Sequence, residues 1–436
     1  MCAPRPTPRR RPKKLTTPEV CSPPPRGGRY SCSLVSFFVD LFLQTGASLR
    51  GATAVGAVVV RHFHLAWPVP SFTTLRAWVL RLGCYALLRP LPQDASWLWI
   101  IDHTIRIGVT KLFLIVGCPL PDVPFGQRCL SLADLHVVAL VPMEQSDQYR
   151  VAAELERATQ RTGAPRLIVS DQGTDLVKGI EHFQRRHTNT AAVGDVAHYG
   201  ANVLENRWER DPRWKELLHR FAQTNQQLRQ TADAFLLSPT LRNKSRFMNV
   251  GPLLRFARRV LKLLRQKVPN EKAQSRYGWL LEYAEDLAGW LEQYDLVETT
   301  MQRVRLHGLQ AGTLAALETA WGAESERGGT KMVRGHLRAY VSKNVRQAQE
   351  GETLAGSSEV LESAFGKLKA KMGDRGQGEL TGLALSPGAI LGQHDEEAVR
   401  QALDAVPEKK AAGMIARLVG PTLCWLRHQL FAAAEA

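Results

Sequence analysis

Three acidic side chains stand where an acid is expensive unless something uses it. Asp102 follows the apolar run Trp97-Leu98-Trp99-Ile100-Ile101, Asp171 follows Arg166-Leu167-Ile168-Val169-Ser170, and Glu362 lies within the helix-forming stretch Ser358 to Met372. Short apolar runs of this kind read as strands buried on both faces. A carboxylate at the end of such a strand is costly to desolvate without a partner. Carboxylate oxygens are hard donors that suit Mg²⁺ or Mn²⁺. Two such ions about 3.5 to 4 Å apart can activate a water or a 3′-hydroxyl and stabilise the leaving oxygen of a phosphodiester. Metal-assisted phosphodiester chemistry is therefore the reaction type these residues fit.

Position gives the three acids their meaning, because a chain with 41 acidic residues always contains Asp, Asp and Glu in some order. Each also has an ordinary reading. Asp171 would cap the helix that begins near Asp175, and Glu362 would lie on a solvated helix face. Glu359 competes with Glu362 from one turn earlier on the same face, and Glu362 is preferred. Asp195 and His198 close a further strand and are candidate accessory residues, to tune a metal or position a substrate. Their ordinary reading is a local cap and a surface histidine. His103 points to the opposite face of its strand from Asp102.

The elements that must position these residues follow from periodicity. Strands are expected at Trp97–Ile101, Lys111–Val116, Leu135–Val141, Arg166–Ser170 and Thr190–Val196, with helices at Gln148–Arg161 and Asp175–Arg186. The order is three strands, helix, strand, helix, strand, with hairpins first and parallel crossovers after. That is the order of a ribonuclease H-like core. The fold class expected is α/β: a ribonuclease H-like mixed sheet with a large helical insertion, preceded by a helical helix-turn-helix-like domain.

In that front segment one helix spans Ser48–Leu65, Pro68 and Pro70 break it, and Ser71 caps the next. Leu75, Val79, Leu82 and Ala86 share one face; Thr73, Thr74, Arg76 and Arg81 point elsewhere. Arg76 and Arg81 are thus candidate DNA contacts of a helix-turn-helix, and a plain helical hairpin fits the spacing as well. From about 202 to 350 the pattern is helical, and it includes the basic amphipathic stretch Leu253–Val268. The tryptophans there are read as core residues, with stacking on an extruded base as the other possibility. The expected units are 1–30, a disordered basic tail; 31–92, DNA-binding; 93–200, the first part of the core; 201–355, the helical insertion; and 356–436, the last part of the core and a helical tail.

The net charge of +16 points to a polyanionic partner, and the Pro- and Arg-rich tail supplies only part of it. Seven cysteines form no CxxC pair, which excludes a zinc ribbon or a disulfide framework. No apolar run reaches membrane-helix length, the nearest (Ser33–Leu43) being interrupted by Asp40, so a cytoplasmic, nucleoid-associated protein without membrane contact is expected.

At Ile101-Asp102-His103-Thr104, Val169-Ser170-Asp171-Gln172-Gly173-Thr174-Asp175-Leu176 and Ser358 to Lys369 the chain resembles the DDE transposases of bacterial insertion sequences. The third acid of that family commonly follows an apolar residue and precedes an aromatic and then a basic residue, which here are Leu361, Phe365 and Lys369. The resemblance implies that Asp102, Asp171 and Glu362 hold metal, with two ions of Mg²⁺ or Mn²⁺. It also implies that Lys367, Lys369 and Lys371 contact DNA phosphates, and that a homodimer or larger assembly pairs two double-stranded element ends and joins them to a target. It favours the helix-turn-helix reading of the front helices. The chain departs from the family where 190 residues separate the second and third acids and the insertion reads as helical rather than stranded. Two rival functions are a different ribonuclease H-like nuclease and a non-catalytic DNA-binding protein derived from a transposase.

Overall fold

The computed structural model describes residues 22–107, 110–241, 246–266, 270–372, 385–392, 394–420 and 423–434; side chains are described within these ranges except at 104–107, 110, 246, 368–372, 419, 423–426 and 433–434. Three helices open the chain: α1 (Cys32–Gln44), α2 (Leu49–His62) and α3 (Phe72–Leu88). Ser71 caps α3 as its sequence predicts, its hydroxyl accepting from the Thr74 N–H at 3.1 Å.

The strands follow as β1 (Trp97–Ile107), β2 (Thr110–Pro119) and β3 (His136–Met143). Then come α4 (Gln148–Thr162), β4 (Leu167–Ser170), α5 (Thr174–Gln184) and β5 (Ala191–Gly194). They form one five-stranded sheet in the order β3-β2-β1-β4-β5. β1 pairs antiparallel with β2 and β2 with β3, while β4 runs parallel to β1 and β5 parallel to β4. The expected sequence of strands and helices is the one observed. One boundary moves: β1 does not stop at Asp102 but continues to Ile107, because its hairpin with β2 pairs out to Ile107 and Thr110. Asp102 therefore sits inside a strand, opposite Leu114.

Alternation on β1 divides the interior. Leu98 and Ile100 enter one core, and Trp97, Trp99 and Ile101 enter the other, beneath α4 and α5. The first core also takes in Leu361, Ala364 and Phe365 of α13 (Glu359–Met372), so this helix lies across the face of the sheet that Asp102 shares. Each large side chain buried this fully contributes roughly 1.5–3 kcal/mol.

Between β5 and α13 the chain is helical: α6 (Val196–Trp208), α7 (Pro212–Leu228), α8 (Gly251–Leu264), α9 (Glu271–Tyr277), α10 (Ala284–His307), α11 (Thr313–Trp321) and α12 (Gly328–Val345). This block has its own core, in which Trp208, Trp214, Tyr277 and Tyr283 are fully enclosed. Trp208, Trp214, Trp279 and Trp290 pack against this core, as read from the sequence. The chain closes with α14 (Ser386–Ile390), α15 (Glu396–Ala405), α16 (Glu408–Val419) and α17 (Leu423–Ala434).

The front helices do not stand apart as a separate unit. The core under α1 and α3 runs without a break into the sheet, α13, α14 and α15. α3 meets α14 so closely that a Cβ on Gly83 would lie 2.0 Å from the Leu385 carbonyl oxygen. The last part of the expected tail is also ordered: Tyr30 is buried edge-on against Trp78, and the Arg26 N–H donates to Asp404 at 2.7 Å. Residues 1–21 lie outside the described residues. Among the described residues no helix is long and apolar enough to cross a membrane.

Candidate active site

The parallel ladder between β1 and β4 ends at Ile101 and Ser170, and the next residue on each strand is an acid, Asp102 and Asp171. Sheet register alone thus brings the first two carboxylates side by side. Asp171 turns into the loop before α5, where it accepts from the Gly173 N–H at 3.0 Å. Gly173 is held to glycine by space, since a Cβ there would come to 3.0 Å from Asp171 Oδ1 and 3.2 Å from Asp175 Oδ1. Burial pushes the Asp102 carboxyl up to about 7, and repulsion from Asp171 and Glu362 adds to the effect. The His103 N–H, which donates to Asp102 Oδ1 at 2.6 Å, opposes it only in part.

Glu362 comes from α13, and what delivers it is Asp195. This carboxylate is 1% exposed, immediately after β5. Its Oδ1 accepts from the His198 N–H at 2.7 Å, capping α6, and its Oδ2 accepts from the Ser358 N–H at 2.6 Å, one residue before α13. The Val196 N–H donates to the Gly356 carbonyl at 2.9 Å beside it, and Tyr340 Oη donates to the Gly194 carbonyl at 2.7 Å. The helical block leaves the sheet and returns to it at one point, and Asp195 ties both ends together. The residue read as a possible metal tuner is a buried clamp, with no side-chain contact to the three acids among its hydrogen bonds.

His198 turns its ring to Glu362, with Nε2 3.4 Å from Oε1, and the Glu362 carboxylate holds the imidazole protonated up to about 9. Glu359 points elsewhere. Its carboxylate pairs with Arg305 of α10 at 2.9 Å. Of the two rival third acids, Glu362 is the one that faces Asp102 and His198.

His103 lies on the far face from Asp102, as the alternation requires. There Ser146 Oγ donates to Asp175 Oδ2 at 2.6 Å and sits 2.9 Å from His103 Nε2. This cluster ties β1 to the start of α5 beneath the two aspartates. Sequence reading missed it, because His103, Ser146 and Asp175 belong to three separate elements.

The proposed DNA contacts fare unevenly. Arg76 is exposed on α3. Arg81 is not: its guanidinium donates to the Leu403 and Val406 carbonyls and finishes α15 rather than facing solvent. Its position on α3 is amphipathic by local spacing, but α15 covers that side. Lys367 donates to the Gln44 side chain at 3.3 Å. The side chains of Lys369 and Lys371 lie outside the described residues.

The donor set, three carboxylates with an uncompensated charge at Asp102, fits a hard divalent cation in its chemistry. In geometry it is not closed: among the described residues no group of three His, Cys, Asp or Glu side chains is drawn to metal-ligating spacing. Glu362 is engaged by His198 instead.

No protein-family profile and no curated protein matches the chain. Among solved structures the fold is similar to the Drosophila P element transposase strand transfer complex, with 11% identity, a TM-score of 0.44, and coverage of 86% of this chain and 94% of that one.

Proposed function

We propose that the chain is a DNA transposase of the DDE type, built on a ribonuclease H-like sheet. The observation that carries the reading is Asp102, an acid buried in a central strand whose nearest charged neighbours on the same face include two further carboxylates, Asp171 and Glu362. A fold gains nothing from such a cluster by itself. Asp102, Asp171 and Glu362 would hold Mg²⁺ or Mn²⁺, in two ions. When bound, these would lower the pKa of a water or 3′-hydroxyl and offset charge on the leaving oxygen.

The chain's own residues do the rest. Asp102 and Asp171 are fixed by strand register and Glu362 by the Asp195 clamp, so the acids are presented on rigid elements rather than on loops. His198, protonated, holds Glu362 among its like-charged neighbours. Arg76, Lys367, Lys369 and Lys371 would meet DNA phosphates. The partners would be double-stranded element ends and a target, brought together by a dimer or larger assembly, and the protein would act in the cytoplasm at the nucleoid.

The test is metal-dependent cleavage of a labelled duplex carrying the repeats that flank the gene. Wild type is expected to cut with Mg²⁺ or Mn²⁺, and Asp102→Asn to bind the duplex without cutting it. Binding without cleavage by wild type under either metal would leave the non-catalytic DNA-binding protein as the better account.

A further inference from the structure

We propose that α8 is a second DNA-docking face, separate from the carboxylate site, that grips duplex phosphate by charge. This inference rests on the reading of the chain as a DNA-acting protein. α8 is divided into two sides. Leu253, Leu254, Ala257, Val260, Leu261 and Leu264 are all buried in the core of the helical block. The opposite stripe carries Arg255, Arg258, Arg259, Lys262 and Arg265, which steps of three and four bring into line.

The neighbouring helix sorts these cations into two kinds. Arg255 meets Glu298 at 3.1 Å and Arg258 meets Asp295 at 3.7 Å, both acids on α10. Arg259, Lys262 and Arg265 are exposed and have no carboxylate or hydrogen-bond partner among the described residues. Three like charges along two turns repel each other, and the fold has placed acids at the edge of the stripe but none in its middle. The whole stripe is about 15 Å long at the rise of an α-helix. That length follows a few successive phosphates of one strand.

The occupant is argued from charge and from what the helix has already used. A basic amphipathic helix can also lie on an anionic membrane, but it does so by burying its apolar side in lipid. Here that side is committed to the protein core. What remains is a cationic ridge without an apolar anchor, which fits a polyphosphate surface and not a bilayer.

The experiment measures binding of the full chain to a duplex in EDTA across a salt series, so that cleavage plays no part. Arg259→Gln, Lys262→Gln and Arg265→Gln together are expected to weaken binding about tenfold or more at low salt and to make the slope of log affinity against log salt shallower by about two. Arg259→Lys with Arg265→Lys is expected to restore the wild-type slope, since charge and not fork geometry is at issue. Thermal melting of the triple variant should match wild type, the three side chains being exposed. Wild-type binding with an unchanged slope in the triple variant overturns this proposal and leaves the proposed function standing. Failure of wild type to bind any duplex overturns both. Capture of anionic phosphatidylserine vesicles, lost in the triple variant while DNA binding is kept, overturns it in favour of a membrane partner.

Discussion

Two buried or half-buried carboxylates show how differently this molecule treats charge. In the helical block, Glu318 lies between Arg334 and Arg338, whose guanidinium groups hold it down to about 2. Arg334 is itself buried and also donates to the Gly322 and Ala323 carbonyls. Every charge there has an opposite number, and the group closes α11 onto α12. In the sheet, Asp102 is more deeply enclosed and has been raised to about 7, with Asp171 and Glu362 as like-charged neighbours. The first arrangement is what a stable fold does with a buried acid. The second makes sense only if something absent from the polypeptide completes it. Compensation marks structure, and its lack marks the site.

The sharpest way to break this comparison is to neutralise one acid of each kind. Asp102→Asn should reduce DNA cleavage to background while the melting temperature of the metal-free protein stays level or rises, because the amide removes a repelled charge. A clear drop in melting temperature would place Asp102 among the structural acids. Asp195→Ala should cost both, about 2–4 kcal/mol of stability from two buried N–H donors left without an acceptor, together with a fall in turnover. Asp195→Asn, which keeps one acceptor, is expected to recover part of each; equal loss in both variants would argue against the clamp.

Glu318→Ala should do the reverse of Asp102→Asn. It is expected to lower stability by about 2 kcal/mol in denaturant unfolding, since it leaves Arg334 buried and unpaired, with DNA cleavage unaffected. In wild type this contribution is complete above the usual glutamate pKa and is lost as pH falls toward about 2.

A third kind of buried group sharpens the contrast. Burial holds His136 down to about 4, and the Arg89 guanidinium beside it adds to the effect. Its folded pKa is depressed, so neutral His136 stabilises the fold above about pH 6.5, and that stability is lost as pH falls from there to about 4. The loss should reach about 1–2 kcal/mol after allowance for solvent screening. His136→Gln should flatten this part of the unfolding profile; an unchanged profile would remove His136 from the account. The smallest effect expected is that of Glu359→Gln, under about 1 kcal/mol from a half-exposed pair with Arg305, with cleavage retained.

What the sequence made legible is local. Strand order, the Ser71 cap, the acids that follow Ile101 and Ser170, and the buried side of α13 all follow from periods of two and of three to four residues. What it hid is long-range. Arg81 reads as solvent-facing on α3 until α15, more than 300 residues later, supplies the carbonyls that take its guanidinium. The front helices read as a separate unit until α14 and α15 share their core. Asp195 reads as a site residue because it stands near the acids in order, whereas its two hydrogen bonds give it to the joint between α6 and α13. Glu359 and Glu362 are equivalent on a helical wheel, and only the position of Arg305 on α10 separates them.

The central claim is that Asp102, Asp171 and Glu362 form one metal site. The most direct measurement is Mn²⁺ binding by the full chain, followed by electron paramagnetic resonance, for wild type, Glu362→Gln and Glu359→Gln. Saturable binding by wild type and Glu359→Gln, weakened about tenfold or more in Glu362→Gln, is the expected result. Equal binding by all three, or none by wild type, would contradict it.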